Sequence, residues 1–395
     1  MIPTEDKVCP PGVTRNAGGT GAGKSLSESA NPGVFLMVES LKTGGSERQF
    51  VALSRCLDQN QFRVKLGCIQ ARGAFLGGLD VESFPLGGSL YGFRSWKTRM
   101  RLRRHLRDQR IAIAHAIDFY ANLTLVPSAR LAGVPVVIGS QRQLGDLLTP
   151  LQSRAQRMMF RWCDAVVCNS DAAAKRLIDD GLAQSKIAVI RNGLAPEAFE
   201  SAVSALPRRP GWVRVGMIAR MNSAAKNHSL LLRAAARICG TASQVEFVMI
   251  GDGPLRPQLE QDAASLGLGD RVQFLGDRRD ITAILASLDV TALPSGSESL
   301  SNAVIESMAA GVPVVASRVG GNPELLNDER GMLVPAGDES SLAEALLRLV
   351  QSESLRIQMG QNCRRFAQEN FTIEKMQRKH EALYKELLAR KHYSS

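Results

Sequence analysis

The sequence predicts an α/β protein of two doubly wound domains in tandem, and three observations predict it. Apolar runs of strand length alternate with helix-length amphipathic stretches in two successive series, the pattern of parallel sheets wrapped by helices. The segment ALPRRPGW at 205–212, with two prolines and a glycine, separates the series as a hinge would. The chain of 395 residues, 44% hydrophobic and 22% charged, is long enough for two or three cores.

In the first series strands are expected at 34–39 (VFLMVE), 63–69 (RVKLGCI), 111–117 (IAIAHAI), 134–140 (VPVVIGS), 165–170 (AVVCNS) and 187–192 (IAVIRN), inside a domain spanning 33–206. The second series places strands at 213–219, 245–251, 271–276, 289–294, 312–317 and 331–336, inside a domain spanning 207–371. A polar helical segment closes the chain at 372–395 and is expected to pack across the domain junction. Two such domains face each other over a cleft, and ligands of doubly wound sheets bind outside the carboxyl ends of the strands.

Residues 1–32, rich in Gly, Ser, Pro and Asn without an apolar period, read as a disordered extension. Within it, GGTGAGKS at 18–25 fits the phosphate-binding pattern G-x-x-x-x-G-K-[ST]. That mechanism needs a strand before the loop and a helix after it. CPPGVTRNA precedes it and Pro32 follows Ser25 closely, so the match is a decoy. No run reaches the ~18 apolar residues of a membrane span, and the N-terminus lacks the apolar core of a secretory signal. A cytoplasmic location, with peripheral attachment to the inner face of the plasma membrane as an option, is the expectation. The seven cysteines form no C-x-x-C pair, which suggests neither a zinc site nor a disulfide framework.

The net charge of +11 is unevenly spread: residues 33–206 hold 23 Lys and Arg against 14 Asp and Glu, residues 207–395 hold 23 against 21. Much of the surplus lies in RSWKTRMRLRRHLRDQR at 94–110. At helical spacing Trp96, Met100 and Leu106, with Leu102 beside them, form an apolar edge on a cationic helix. Such a helix fits an anionic membrane surface or an acidic acceptor, and equally a solvated helix whose edge lies on the sheet. Nucleic acid is not an expected partner, because aromatic residues do not interleave with the charges.

The richest stretch for chemistry is LPSGSESLSNAVIESMAAGVPVVAS at 293–317. A strand ends at Pro294, a Ser/Gly loop follows, and a helix is expected from about Leu300 to Ala310. The unpaired N–H groups and positive dipole end of such a helix can hold a diphosphate. Glu298 in the loop is placed to accept sugar hydroxyls and Glu306 to reach a ribose. The same spacing also fits a Glu298 that assists the helix start and a Glu306 that faces solvent. Arg220 and Lys226 follow the first strand of the second domain at the same carboxyl edge, where cations neutralise a leaving diphosphate.

Together these residues resemble glycosyltransferase family 4. The segment from Glu298 to Glu306 matches its E-x7-E motif, and GGSE from Gly44, CNSD from Cys168, VIRNGL from Val189, GMIAR through Lys226, IGDGP from Ile250, VQFLG through Asp280 and MAAGVPVVAS follow in the family's order. The match covers most of residues 34–371. The resemblance implies the GT-B architecture, two Rossmann-like domains facing a central cleft, and retaining transfer of a sugar from a nucleotide diphosphate sugar of UDP or GDP type. It implies that Glu298 contacts the donor sugar, Glu306 the ribose, and Arg220 and Lys226 the diphosphate. Backbone N–H groups at Ser299, Leu300 and Ser301 would hold sugar or phosphate, the Gly44–Gly45 loop would approach the diphosphate, and the base would lie near Gly276 and Arg278. In this mechanism a donor phosphate oxygen takes the acceptor proton on the face from which the leaving group departs.

One position departs from the pattern. The family's His-x-His pair reads His115-Ala116-Ile117 here, so the second histidine is Ile117, which has no hydrogen-bonding group. Either Asp118 or His115 takes over a contact to sugar or acceptor, or the contact is dispensable and His115 is a satisfied histidine at a strand end. No D-x-D occurs, so neither a metal nor any cofactor besides the donor substrate is expected. The acceptor expected is a lipid-linked glycan of polysaccharide or envelope assembly. The rival readings are transfer to a soluble small acceptor and, from another class, a non-catalytic nucleotide-sugar or polyanion-binding protein. A dehydrogenase is disfavoured because GDGPLR lacks the third glycine of G-x-G-x-x-G.

Overall fold

The computed structural model describes residues 31–42, 44–90 and 92–392; the 18–25 loop lies outside the described residues. The described residues from 32 to 392 pack as one unit. The first sheet holds β1 (Gly33–Ser40), β2 (Arg63–Gln70), β3 (Val81–Ser83), β4 (Ile111–Ala116), β5 (Val136–Gln141), β6 (Ala165–Cys168) and β7 (Ile187–Val189) in the order β3-β2-β1-β4-β5-β6-β7. The second holds β8 (Val213–Ile218), β9 (Val245–Ile250), β10 (Val272–Gly276), β11 (Val290–Leu293), β12 (Val314–Ser317) and β13 (Gly331–Val334) in the order β10-β9-β8-β11-β12-β13. Every pairing is parallel, and the central β1 and β9 are buried along nearly their whole length, which is why both read as unbroken apolar runs. The expected α/β class with two doubly wound sheets is what the chain forms.

Around the first sheet lie α1 (Gly45–Cys56), α2 (Phe93–Asp108), α3 (Phe119–Ala132), α4 (Pro150–Trp162) and α5 (Asp171–Asp179). The second is wrapped by α6 (His228–Cys239), α7 (Arg256–Ser265), α8 (Ile281–Leu285), α9 (Asn302–Ala309), α10 (Asn322–Leu325), α11 (Glu339–Gln351) and α12 (Glu353–Asn370), and α13 (Ile373–His392) ends the described chain. Local chemistry sets the helix starts. Thr149 and Gln152 form a capping box before Pro150, and Ser170, Ser301, Asp338 and Ser352 each cap a helix through a side-chain oxygen.

The chain passes between the domains twice, and the two crossings pair. The Leu194 amide donates to the Phe371 carbonyl at 2.7 Å and the Ile373 amide to the Leu194 carbonyl at 2.9 Å. Gln49 of α1 grips this hinge, its side chain both donating to the Gly193 carbonyl and accepting from the Gly193 amide at 3.0 Å. A second clasp comes from Glu324 of α10, whose carboxylate accepts the Asp171 and Ala172 amides at the start of α5 at 3.0 and 2.9 Å and pairs with Arg191.

Three expectations are corrected. The first crossing lies at Gly193–Leu194 and not at 205–212, because Leu194 already packs with Leu293 and Leu300, and Ala205 and Leu206 pack against Val248 and Ile284 of the second domain. The last helix does not straddle the junction: Met376, Tyr384 and Leu387 of α13 enter the first-domain core with Leu36, Phe50 and Val136, and residues 371–373 make the crossing. In α2 the buried edge is Ser95, Leu102 and Leu106, whereas Trp96 is 57% exposed and stacks on Phe93, itself 75% exposed. Leu102 and Leu106 lie on the buried edge as expected, but Ser95 rather than Trp96 extends it, which leaves that aromatic pair in solvent.

A buried polar cluster fixes α13. His115 is hydrogen-bonded through Nδ1 to the Tyr384 hydroxyl at 2.8 Å and through Nε2 to Ser140 Oγ at 2.9 Å, and His380 lies beside it. Burial holds His380 down to about 4 from an ordinary 6.5 and also pushes His115 well below that ordinary value. Between those values the unfolded chain binds the His380 proton and the folded one does not, so stability rises with pH across the window and is lost on acidification. Going from pH 7 to pH 5 is expected to remove about 2 kcal/mol through His380. Urea denaturation of wild type and His380→Gln at both pH values checks this: the variant should lose measurably less stability on acidification, and equal losses would refute it.

Candidate active site

The carboxyl ends of both sheets open on one cavity of about 300 Å³. From the first domain, Gly44 and Gly45 bring the start of α1, whose N-cap Gly44 offers no side chain to its free amides. Gly45 sits so close to α9 that a Cβ there would lie 2.7 Å from Asn302 Nδ2, so a side chain would displace the Asn302 amide. The second domain contributes the start of α9, where the Ser301 hydroxyl accepts the Val304 amide at 3.4 Å.

Of the residues expected from sequence, Gly44, Gly45, Arg220, Lys226, Arg278, Glu298, Leu300, Ser301 and Glu306 line the cavity. Ser299 lies behind the wall: its hydroxyl donates to Asn169 Oδ1 at 2.6 Å and ties the loop to the first domain. Gly276 also stands back, its carbonyl accepting the Gly251 amide at 2.9 Å, while Asp277 and Arg278 reach the cavity. The alternative of a solvent-facing Glu306 is overturned, since the residue is 7% exposed.

His115 and Asp118 are corrected as sugar or acceptor contacts. His115 is fully buried with both ring nitrogens engaged, so it is the satisfied histidine of the alternatives. Asp118 caps α3, accepting from the Ala121 amide at 2.9 Å and the Glu39 amide at 2.5 Å, and does not line the cavity. Burial pushes its carboxyl up to about 7 against those two hydrogen bonds. Ile117 is packed in the first-domain core.

The site is a set of cations partly matched by carboxylates. Lys226 Nζ lies 2.5 Å from Glu298 Oε1, and Arg48 pairs with Glu306 across the cleft. Burial raises the Glu306 carboxyl, opposed by the Arg48 charge and hydrogen bond. Arg142, at the end of β5, donates to Asn192 Oδ1 at 2.5 Å, and Asn192 donates to Asn302 Oδ1 at 2.6 Å, a chain that spans the domains. Burial lowers the Arg142 guanidinium to about 10, which leaves it charged at neutral pH. Arg278 is held by Asp280 at 2.5 Å. Arg220 is exposed and has no ion-pair partner among the described residues. Two converging helix starts and these cations form a pocket for a polyanion, with carboxylates to accept hydroxyls.

Arg48, Arg142, Asn169, Asn192 and Asn302 were missed by sequence reasoning. Their signals were present: Arg48 is one helical turn beyond Gly44, Arg142 follows a strand end as Arg220 does, and Asn169 and Asn192 sit inside CNSD and VIRNGL.

A parallel-sheet protein with a polyanion pocket between two Rossmann-like domains has the architecture of a GT-B glycosyltransferase, and the comparisons specify the family. Residues 43–198 match Glycosyltransferase Family 4 and residues 213–352 match Glycosyl transferases group 1. The chain is 30% identical over 283 residues to the phosphatidyl-myo-inositol mannosyltransferase of Mycobacterium leprae, covering 69% of this chain and 73% of that one. It is 27% identical over 375 residues to the UDP-Gal:alpha-D-GlcNAc-diphosphoundecaprenol alpha-1,3-galactosyltransferase of Escherichia coli, covering 88% and 95%. Against the lipopolysaccharide core glycosyltransferase LpsE of Rhizobium meliloti, 33% identity extends over 62% of the relative's length. Anabaena HepE, solved with UDP and glucose, superposes with a TM-score of 0.76 at 21% identity over 89% of this chain and 98% of that one. The chain belongs to glycosyltransferase family 4 and has the GT-B fold.

The loop carrying Glu298 leans on Gly320, whose φ is +50° and whose added Cβ would meet the Glu298 carbonyl at 1.6 Å. Gly320→Ala is therefore expected to lower the melting temperature by several degrees. Gly337→Ala, at φ +78° but in open space, should lower it less. Melting curves of both variants decide it, and an equal loss in the two would refute the placement of that loop.

Proposed function

We propose that this chain transfers a hexosyl group from a UDP- or GDP-sugar to a hydroxyl of a lipid-linked glycan, with retention of anomeric configuration and without a divalent metal. The observation that carries the reading is one pocket in which Glu298 and Glu306 face Arg220 and Lys226 between two helix starts. Glu306 accepts the ribose hydroxyls and Glu298 a hydroxyl of the donor sugar. Arg220, Lys226 and the helix-start amides of α1 and α9 neutralise the diphosphate as the glycosidic bond breaks. A diphosphate oxygen takes the acceptor proton while the acceptor oxygen bonds the anomeric carbon on the same face. Relatives named for a diphosphoundecaprenol-linked acceptor and for lipopolysaccharide core assembly support the lipid-linked class.

The test is a panel of nucleotide diphosphates followed by transfer assays. Arg220→Ala and Glu306→Ala are expected to weaken diphosphate binding about tenfold or more, a loss of about 1.4 kcal/mol or more. Lys24→Ala should change nothing. Activity should persist in EDTA and the product anomer should match the donor by NMR. Metal-restored activity or an inverted product would overturn the mechanism.

An acceptor held in a bilayer favours a surface that meets the bilayer, and no helix among the described residues is long and apolar enough to cross one. The first domain exposes Phe93 and Trp96 on α2, Leu147 before α4, and Leu151 and Met158 on α4, amid arginines. Arg101 and Arg107 are partly engaged by the carbonyls of Ser83, Leu131 and Ala132, so Arg94, Lys97 and Arg104 are the charges best placed to meet a lipid surface. Sedimentation with anionic vesicles is expected to bind wild type and to lose both Arg94/Lys97/Arg104→Gln and Phe93/Trp96→Ser. Equal binding to neutral vesicles, or unaffected variants, would remove the membrane from the proposal.

A further inference from the structure

Arg48 stands in the first turn of α1 and Glu306 in α9, and their side chains meet across the cleft. The carboxylate is buried, whereas the guanidinium side chain is 43% exposed. Both residues line the 300 Å³ cavity and also a second cavity of about 480 Å³ walled by Phe75, Leu194, Ile281 and Leu285. The pair is thus a shared wall between a polar chamber and a more apolar one.

Arg48 donates from its Nη1 to Glu306 Oε1. A ribose diol that binds this carboxylate through both oxygens competes with the guanidinium for Oε1 and weakens its hold on Arg48. A neutral nucleoside offers the loosened cation nothing in return. A nucleoside diphosphate does, because its charge would lie at the Gly44–Ser46 turn, one helical turn from Arg48 along the same α1. The exchange of one anionic partner for another leaves Arg48 paired at both ends of the event, whereas nucleoside binding alone leaves it weakly held beside an occupied carboxylate.

We infer that Arg48 is a positioning residue that makes the donor pocket discriminate a nucleoside diphosphate from its nucleoside: it holds Glu306 while the site is empty and turns to the diphosphate when the site fills. The inference rests on the reading of Glu306 as the ribose acceptor. It also gives the first domain a direct stake in donor binding, since Arg48 is carried by α1 while the other donor cations, Arg220 and Lys226, belong to the second domain.

The experiment is calorimetric titration of wild type, Arg48→Gln, Arg48→Lys and Glu306→Gln with UDP and with uridine in competition with UDP, using GDP and guanosine if guanine is the base that binds. Melting curves confirm that the variants fold. In Arg48→Gln uridine is expected to bind several-fold tighter and UDP about tenfold weaker, so the UDP-to-uridine affinity ratio falls about thirtyfold or more; Arg48→Lys should restore most of it. A ratio unchanged in Arg48→Gln, whether both affinities move together or neither moves, overturns the role of Arg48. Should Glu306→Gln bind uridine as wild type does, the ribose reading itself falls and takes this inference with it. A weakened Glu306→Gln beside an unchanged Arg48→Gln ratio removes only the role of Arg48.

Discussion

Charge matching across the cleft is the constraint on which the site depends. Parallel strands place all their carboxyl ends on one edge, and helices that follow those strands begin there, so two doubly wound sheets set face to face aim positive helix starts at each other. The chain adds Arg48, Arg142, Arg220, Lys226 and Arg278 to that same volume. Such a pocket repels itself unless anions enter it. Glu298 and Glu306 supply the internal ones, each buried and each held by a cation, and Arg220 keeps its charge for an anion from outside. Removing either cation would strand a desolvated carboxylate, because the acids are buried while Arg48 and Lys226 remain partly exposed.

The same electrostatic logic joins the domains. Glu324 occupies the start of α5, a place where a bound phosphate would also be stabilised, and so ties the second domain to the first without apolar surface. Arg142, Asn192 and Asn302 extend a hydrogen-bonded line from the end of β5 to the start of α9. Polar junctions of this kind can be exchanged with ligand groups at little cost, whereas an apolar seam would have to be exposed to water. The hinge itself, where Leu194 pairs with residues 371–373, concentrates backbone change in a few residues.

Most of the fold was legible because a strand covered on both faces must be apolar at successive positions; eleven of the strands were placed within two residues of their ends and β7 within three. β3 was missed: Val81–Ser83 is a three-residue edge strand, paired on one side, with no run to betray it. On α2, Leu102 and Leu106 were read correctly, and Trp96 was misplaced because it was assigned by hydrophobicity although it stacks on Phe93 in solvent. Docking of α13 was illegible in principle, since it rests on a His115, Ser140 and Tyr384 contact whose members lie far apart in sequence.

The site divides along the same line. Glu298, Glu306, Arg220 and Lys226 were found because each sits at a fixed offset from a strand end on its own domain, and a strand–loop–helix unit reads as a local pattern. Arg48 was missed because its meaning lies on the facing domain: nothing within GGSERQ shows that a carboxylate more than two hundred and fifty residues away completes it. The halves of a GT-B cleft are locally encoded, but their complementarity is tertiary. A sequence reading of such a protein therefore recovers the groups that one domain presents to a ligand and loses the groups through which the two domains respond to it.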